Sequence, residues 1–330
     1  MKEKIVVVGS NSFSGASFVD AALKEGSHVI GVSRSAEPHD ALLPYKWSPN
    51  RTSFSFHQLD LNKNLDEIIE IIHSEKPDYV VNYAAQSMVA QSWEHPEHWY
   101  MTNVVSTTRF HEQLRHCDFI KKYVHISTPE VYGNCEGDVQ ENTNYHPSTP
   151  YAISRAAADM NLRAYFDAYK FPVVFTRSAN VYGPGQQLYR IIPRTILFIK
   201  LGRKLQLHGG GVSERSFIHI NDVSDATLRI MRNGQLGGIY HISTKRVISI
   251  KALVQLICDR MGASFEDCVE TSDERLGKDA AYLLDSTKIR ETLGWRDHIQ
   301  MKEGIDEVIH WVEQGYDELQ RLPFDYNHKA

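Results

Sequence analysis

Cysteine, long apolar runs and charge of one sign are all scarce in this sequence. Its 330 residues include four cysteines, Cys117, Cys135, Cys258 and Cys268, with no CxxC pair among them. That spacing excludes a zinc ribbon and gives no disulfide framework, so reduced thiols in a cytoplasmic protein are expected. No apolar run approaches the ~20 residues a bilayer span needs, and no membrane partner is expected. The opening residues, MKEKIVVVGS, enter a strand pattern directly, so no signal peptide is expected. A formal net charge of −5 argues against general nucleic-acid binding. The 16 histidines contain no HExxH motif. Their densest group, HPEH at His95–His98, reads as a solvated helix start rather than a metal site, so no metal is expected. Internal repeats and low-complexity segments are missing as well.

What is present is an alternation. KIVVVGS, HVIGVSR, SFSFHQLDL, DYVVNYAA, KKYVHIST and PVVFTRSA read as strands. GASFVDAALKEG, LDEIIEIIHSEK, TNVVSTTRFHEQLRHC and YAISRAAADMNLRAYFDAYK read as the helices between them. Strands alternating with helices imply a parallel sheet covered on both faces. Beyond about residue 180 the pattern becomes irregular, with a short strand at GGIYHIS and helices near 250–261 and 301–318. The expected architecture is an α/β, Rossmann-type doubly wound sheet with a smaller, discontinuous C-terminal α/β domain. The first would span 1–178 with a returning segment near 215–242. The second would be assembled from 179–214 and 243–330.

VVVGSNSFSGASFV places Gly9, Ser12 and Gly15 between the first strand and the first helix, with Phe13 opening that helix. Free N–H groups at such a helix start suit a pyrophosphate, and the glycines allow a tight turn and close packing. The strand–turn–helix context makes a dinucleotide the expected cofactor. An acidic residue at the end of the second strand would mark NAD. Ser33 and Arg34 stand there instead. A hydroxyl and a guanidinium suit a 2′-phosphate, so NADP is favoured over NAD.

The fifth strand runs into STPEVYG, which puts Thr128 and Glu130 where ligands bind in doubly wound sheets, at strand carboxyl ends. PYAISRAAAD places Tyr151 and Arg155 four apart on one helix face. A cation beside a phenol lowers its pKa and fits it to take a proton from a sugar hydroxyl.

With these pieces the chain resembles the extended short-chain dehydrogenase/reductases, the superfamily of nucleotide-sugar epimerases and dehydratases. The resemblance also rests on NYAAQSMVAQSWEHPEHWYMTNV, SANVYGPGQQ, GGGVSERSFIHINDV and DERLGKDAAYLLDSTKIRETLGW, and it covers nearly the whole length. It implies that Asp60 and Leu61 flank adenine and that Ala84, Ala85 and Gln86 line the nicotinamide side. Tyr151 and Arg155 would complete the cofactor site. Thr128 would bond the sugar O4 and Tyr151 would be the base for oxidation at C4. Ser87, Asn180, Arg190, Leu207, His208, Arg215 and Arg275 would hold the nucleotide and its sugar. Relatives pair two such helices from each of two chains as a four-helix bundle, so a homodimer is expected, with Ala156, Ala157 and Ala158 allowing close approach.

The resemblance also implies a reaction. Epimerases of this group usually lack a carboxylate in the fifth-strand motif, whereas 4,6-dehydratases carry Thr-x-Glu. Thr128 and Glu130 fit the second pattern, with Glu130 removing the C5 proton after C4 oxidation. A 4-keto-6-deoxy sugar nucleotide is the expected product. Two positions depart from the family. Pro129 stands where dTDP-glucose dehydratases place an aspartate, and Arg155 stands where lysine is usual. The alternatives are a 4-epimerase, a decarboxylase, or a non-catalytic NADP-binding sensor or scaffold.

Overall fold

A computed structural model of the chain describes residues 2–135, 137–272 and 283–329. Arg275 lies outside the described residues. The central strands are β1 (Lys4–Val8), β2 (His28–Ser33), β3 (Phe54–Gln58), β4 (Tyr79–Asn82), β5 (Lys122–Ile126), β6 (Val173–Ser178) and β7 (Ile239–Ile242). They form one sheet in the order β3-β2-β1-β4-β5-β6-β7, with every ladder parallel. The order reverses at β1, so the ends of β1 and β4 bound the crevice where a ligand enters such a sheet.

The alternation within β1 shows how the layers form. Ile5 and Val7 face one core with Phe18, Val19 and Leu23 of α1 (Phe13–Lys24), while Val6 and Val8 face another with Ile68, Ile72, Phe110 and Leu162. Successive strand side chains point to opposite faces, so a wholly apolar strand must be covered twice. The long helix α2 (Pro150–Tyr169) lies on the second face, with Pro150 at its first turn and Thr149 Oγ1 accepting from Ala152 N–H. Helix α3 (Ile220–Asn233) lies on the first.

The remaining chain builds a smaller layer with its own core. Tyr182, Ile192, Ile196, Leu253, Ile257, Ile305 and Trp311 pack together, and Leu205, Leu207, Val254 and Cys258 form an adjoining cluster. Short strand pairs join its parts. Asn180–Tyr182 runs parallel to Phe217–His219, and Leu205–His208 runs parallel to Val269–Ser272.

Two helices differ from expectation. The helix before β5 begins at Pro96–Tyr100, widens into a π-helical stretch at Met101–Ser106, and resumes as α-helix at Thr107–Leu114. Thr107 Oγ1 donates to the Thr102 carbonyl at 2.8 Å, which helps satisfy the widened turn. The final long helix stops at Gln314, where Gly315 interrupts it before a short turn at Tyr316–Leu319.

Candidate active site

The loop after β1 is built for close approach. Gly9 has φ 83°, and a Cβ there would lie 2.6 Å from Ala84 N; a Cβ on Gly15 would lie 2.2 Å from Gly9 O. Ser12 closes the loop on itself, donating to the Gly9 carbonyl at 2.7 Å and accepting from Gly15 N–H at 3.1 Å. The open backbone cradle at the start of α1 therefore fits a dinucleotide pyrophosphate, with backbone N–H groups rather than the Ser12 hydroxyl as donors. Phe13 is buried in the first core. Ser33 is also turned inward. Its Oγ accepts from Asn11 N–H at 3.1 Å and lies 3.4 Å from Ser10 Oγ, so it braces the loop instead of facing a ribose phosphate. Arg34 remains at the strand end, donating to the Lys329 carbonyl at 3.2 Å. Beyond β3, Asp60 Oδ1 accepts from Asn62 N–H at 2.9 Å and Leu61 packs into the second core.

The strand β4 leads into Ala84, Ala85 and Gln86, and this turn is clamped by a residue that sequence reasoning missed. Asn103, fully buried in the π-helical stretch, accepts from Gln86 N–H at 2.8 Å. Its amide donates to the Gln86 carbonyl and to Ser154 Oγ, each at 2.9 Å. One side chain thus ties the turn after β4 to α2, one helical turn from Tyr151. The available signal was a lone asparagine in the run TNVV, and π-helical turns cluster at functional sites. Ser87 follows this turn and is exposed.

The end of β5 and the start of α2 bring the expected catalytic residues together. Thr128 caps the short 3-10 turn Pro129–Tyr132, accepting from Glu130 N–H at 3.3 Å. Pro129 occupies the first position of that turn, where its missing N–H costs nothing. The Tyr151 phenol is nearly buried, and burial raises its pKa. The Glu130 carboxylate pushes it further up, whereas Arg155, the Thr128 hydroxyl and Arg190 pull it down. The Thr128 hydroxyl is thus within hydrogen-bonding reach of the phenol, and Glu130, Arg155 and Arg190 are the charges that bear on it. The net direction is up, against the expectation from Arg155 alone, because desolvation outweighs the cation. Arg155 is itself turned inward. Its guanidinium donates to the Ile126 carbonyl and lies 3.4 Å from His125 Nε2, beneath the end of β5.

The expected substrate residues sit on the smaller layer and its border. Asn180 Nδ2 donates to the Ser216 carbonyl at 3.3 Å, and His208 Nδ1 meets Ser272 Oγ at 2.8 Å. Arg215 donates to the Glu214 carbonyl. Arg190 is exposed and lies over the Tyr189 ring, 5.4 Å from its centroid. Leu207 differs from the others, because strand alternation turns it into the hydrophobic cluster with Leu205.

Beneath the cluster lies a buried ion pair. Asp159 of α2, fully buried, accepts from Arg177 Nη2 of β6 and from Ser127 Oγ, each at 2.8 Å, and faces His125 Nε2 at 3.4 Å. Burial raises the Asp159 pKa, but His125 and the Arg177 charge overcome it and hold the carboxyl down at about 2. A depressed carboxyl stabilises the fold above its unfolded pKa of about 3.9, and that stability is lost as pH falls through the folded value. Asp159→Asn leaves Arg177 buried without its counter-charge, so it is expected to cost about 3–5 kcal/mol in denaturant unfolding near neutral pH. The variant should also lose the part of the acid transition due to this group. A variant within about 0.5 kcal/mol of wild type would remove the assignment of Asp159 as the central support.

Comparison with known proteins agrees with this geometry. A family profile described as GDP-mannose 4,6-dehydratase matches residues 6–308. A dTDP-D-glucose 4,6-dehydratase of Bos taurus is 35% identical over 322 residues, 95% of this chain and 90% of that protein. The dTDP-glucose 4,6-dehydratase of Mycolicibacterium smegmatis is 30% identical across 93% of this chain and 92% of its own. Among solved structures, DesIV of Streptomyces venezuelae, a dTDP-glucose 4,6-dehydratase with NAD bound, superposes with a TM-score of 0.86. It has 28% identity and covers 95% of this chain and 98% of its own. A UDP-glucose 4-epimerase of Thermotoga maritima gives the same TM-score at 25% identity, covering 95% of this chain and 99% of its own. With the glycine loop, the Thr128–Glu130 turn and the buried Tyr151 gathered at the carboxyl ends of the central strands, the chain belongs to the GDP-mannose 4,6-dehydratase family, within the extended short-chain dehydrogenase/reductases that act on nucleotide sugars.

Proposed function

We propose that Glu130 makes this chain a dehydratase rather than a 4-epimerase. The chain is an enzyme, a nicotinamide-dependent lyase of the nucleotide-sugar 4,6-dehydratase kind. One observation supports the roles within it: the turn capped by Thr128 carries Glu130, and the Thr128 hydroxyl reaches the buried Tyr151 phenol. When bound, the dinucleotide supplies a reversible hydride acceptor, drawing on C4 and returning to C6. Thr128 would hold the sugar O4 against Tyr151, whose phenol would move the O4 proton. A ketone at C4 acidifies the C5 hydrogen, which the Glu130 carboxylate would remove. Pro129 has no proton to give the leaving group. Glu130, once protonated from C5, would therefore hand that proton to the departing C6 hydroxyl, so that water is lost, and a proton drawn from solvent would restore C5 as hydride reaches C6. The named relatives make dTDP-glucose the first substrate to test.

The cofactor preference rests on Arg34, since Ser33 is committed to the glycine loop. The guanidinium, with no acidic residue at the end of β2, favours the 2′-phosphate of NADP, although solved relatives hold NAD. For assembly, Tyr100, Met101 and Val105 of the π-containing helix and Ile153 and Met160 of α2 are exposed apolar residues on neighbouring helices. We place the interface of a homodimeric four-helix bundle there. Ala156 and Ala158 are buried within this chain, so the partner would meet Ile153 and Met160 instead.

Three measurements test these readings. In binding titrations, Arg34→Ala should weaken NADP by about 1.5–3 kcal/mol more than NAD; equal losses would end the argument for NADP. By light scattering, wild type should be a dimer at micromolar concentration and Ile153→Glu with Met160→Glu a monomer, whereas a monomeric wild type contradicts the interface. Glu130→Gln should lose about 10²–10⁴-fold in 6-deoxy product, and wild type in deuterium oxide should place deuterium at C5 while the variant does so very slowly. A variant that dehydrates at the wild-type rate, or a wild type that inverts C4 and keeps its C6 hydroxyl, would replace the dehydratase reading with the 4-epimerase.

A further inference from the structure

The segment Tyr326–Lys329 runs across the dinucleotide groove as a strap. The Lys329 carbonyl accepts from Gln86 Nε2 at 2.7 Å and from Arg34 Nη2 at 3.2 Å, and Lys329 Nζ lies 3.4 Å from Ser35 Oγ. The strap is anchored by aromatic rings. Tyr326 packs edge-on to Tyr189, with centroids 5.5 Å apart. The His328 ring stacks on the buried Trp99 at 5.0 Å and against His98 at 5.1 Å. Both nitrogens of His328 are engaged, Nδ1 with the Tyr326 hydroxyl at 3.3 Å and Nε2 with His98 Nδ1 at 2.8 Å.

The other nitrogen of His98 faces a cluster with Glu97 and His95, and the His95 ring also stacks against His328, with centroids 5.7 Å apart. His98 Nε2 lies 3.7 Å from Glu97 Oε1, and the same oxygen lies 3.8 Å from His95 Nδ1. Ligand atoms from these three side chains all lie within 4.8 Å of one another. Two imidazoles and a carboxylate are the donor set that borderline divalent cations take, with bonds of about 2.0–2.2 Å. The three side chains are at or near the surface, at the first turn of a helix opened by Pro96, so small rotations can draw the donors in and solvent can fill the remaining positions.

We propose that His95, Glu97 and His98 form a site for a Zn²⁺-class divalent cation, and that the ion fastens the strap through His328. The proton arrangement makes the link. A cation on His98 Nε2 fixes the other nitrogen, Nδ1, as N–H, and that N–H points at His328 Nε2. His328 then carries its own proton on Nδ1 and donates to the Tyr326 hydroxyl. Metal-bound histidines are oriented by such outer partners, whose loss typically weakens metal binding by about 10–100-fold. The segment HPEH, which reads from sequence as a solvated helix start, thereby becomes the clamp of the strap.

The test uses the full chain without a polyhistidine tag, titrated calorimetrically with Zn²⁺ near neutral pH, together with hydrogen exchange of the strap. Wild type should bind one Zn²⁺ per chain with a dissociation constant on the order of micromolar. His95→Asn combined with His98→Gln should weaken this at least tenfold, and His328→Gln should weaken it less than that pair does. Zn²⁺ should slow exchange of the amides at 326–329 in wild type and leave them unchanged in the double variant. No saturable binding, or equal binding by the double variant, overturns the site. Binding without slower strap exchange overturns the fastening. Neither readout involves the dinucleotide or turnover, so the result stands apart from the reading of the reaction.

Discussion

A charge sealed from water must be answered at close range, and in this chain that requirement falls on Asp159. Its carboxylate takes hydrogen bonds from Arg177 and Ser127, while Arg177 lies over the Tyr132 ring at 4.6 Å and donates to the Asn142 carbonyl. Four pieces of chain are thereby held in one arrangement: α2, the end of β5, β6, and the loop before α2. The residues proposed for catalysis are mounted on this frame. Thr128 follows Ser127 directly, and Tyr151 lies two helical turns before Asp159 on α2. A buried ion pair is weak evidence for stability as such, because a hydrophobic substitute can pack as well. Its contribution here is directional. The bonds to Ser127 and Arg177 require a particular rotation of α2, which an apolar contact would not.

The same low-dielectric setting explains the electrostatics of Tyr151. Burial and the Glu130 carboxylate raise the phenol's pKa, and the cation four residues along does not overcome them. Arg155 spends its hydrogen bonds on the backbone at the end of β5. Where a lysine would present a single flexible point charge, the larger planar fork finds a place under the strand. The departure from the family pattern thus alters the geometry of the cation more than its charge. Its charge still draws the phenol's pKa down, as does that of Arg190, without overcoming burial.

Around this centre the chain uses polar side chains to close loops rather than to face the ligand. Ser12, Ser33 and Asn103 each complete a turn that a ligand would approach through backbone groups. This division keeps the cradle rigid, since a hydroxyl bonded within its own loop cannot swing into the groove. It also leaves two longer donors, Arg34 and Gln86, at the groove, where both donate to the Lys329 carbonyl.

Much of the fold was legible in the sequence. A strand such as IVVV, apolar at every position, has to be covered on both faces, and a glycine loop between strand and helix has few other uses. The placement of Thr128 and Glu130 at a strand end followed from that same alternation, and so did the proximity of Tyr151 to Arg155. What the sequence could not decide was where side chains of ordinary type would point. Ser33 could face a ribose or its own loop, Leu207 a base or the core, and Arg155 the phenol or the sheet. Each choice is made by groups distant in the chain, Asn11 for Ser33, Val254 and Cys258 for Leu207, and Ile126 for Arg155. Asn103 stayed hidden for the same reason, because its partners Gln86 and Ser154 come near only when helix and turn are packed. Local pattern determines which backbone forms and which residues lie at its ends. The direction of a polar group depends on which donors and acceptors the packed chain leaves unsatisfied around it, and that is a property of the tertiary structure alone.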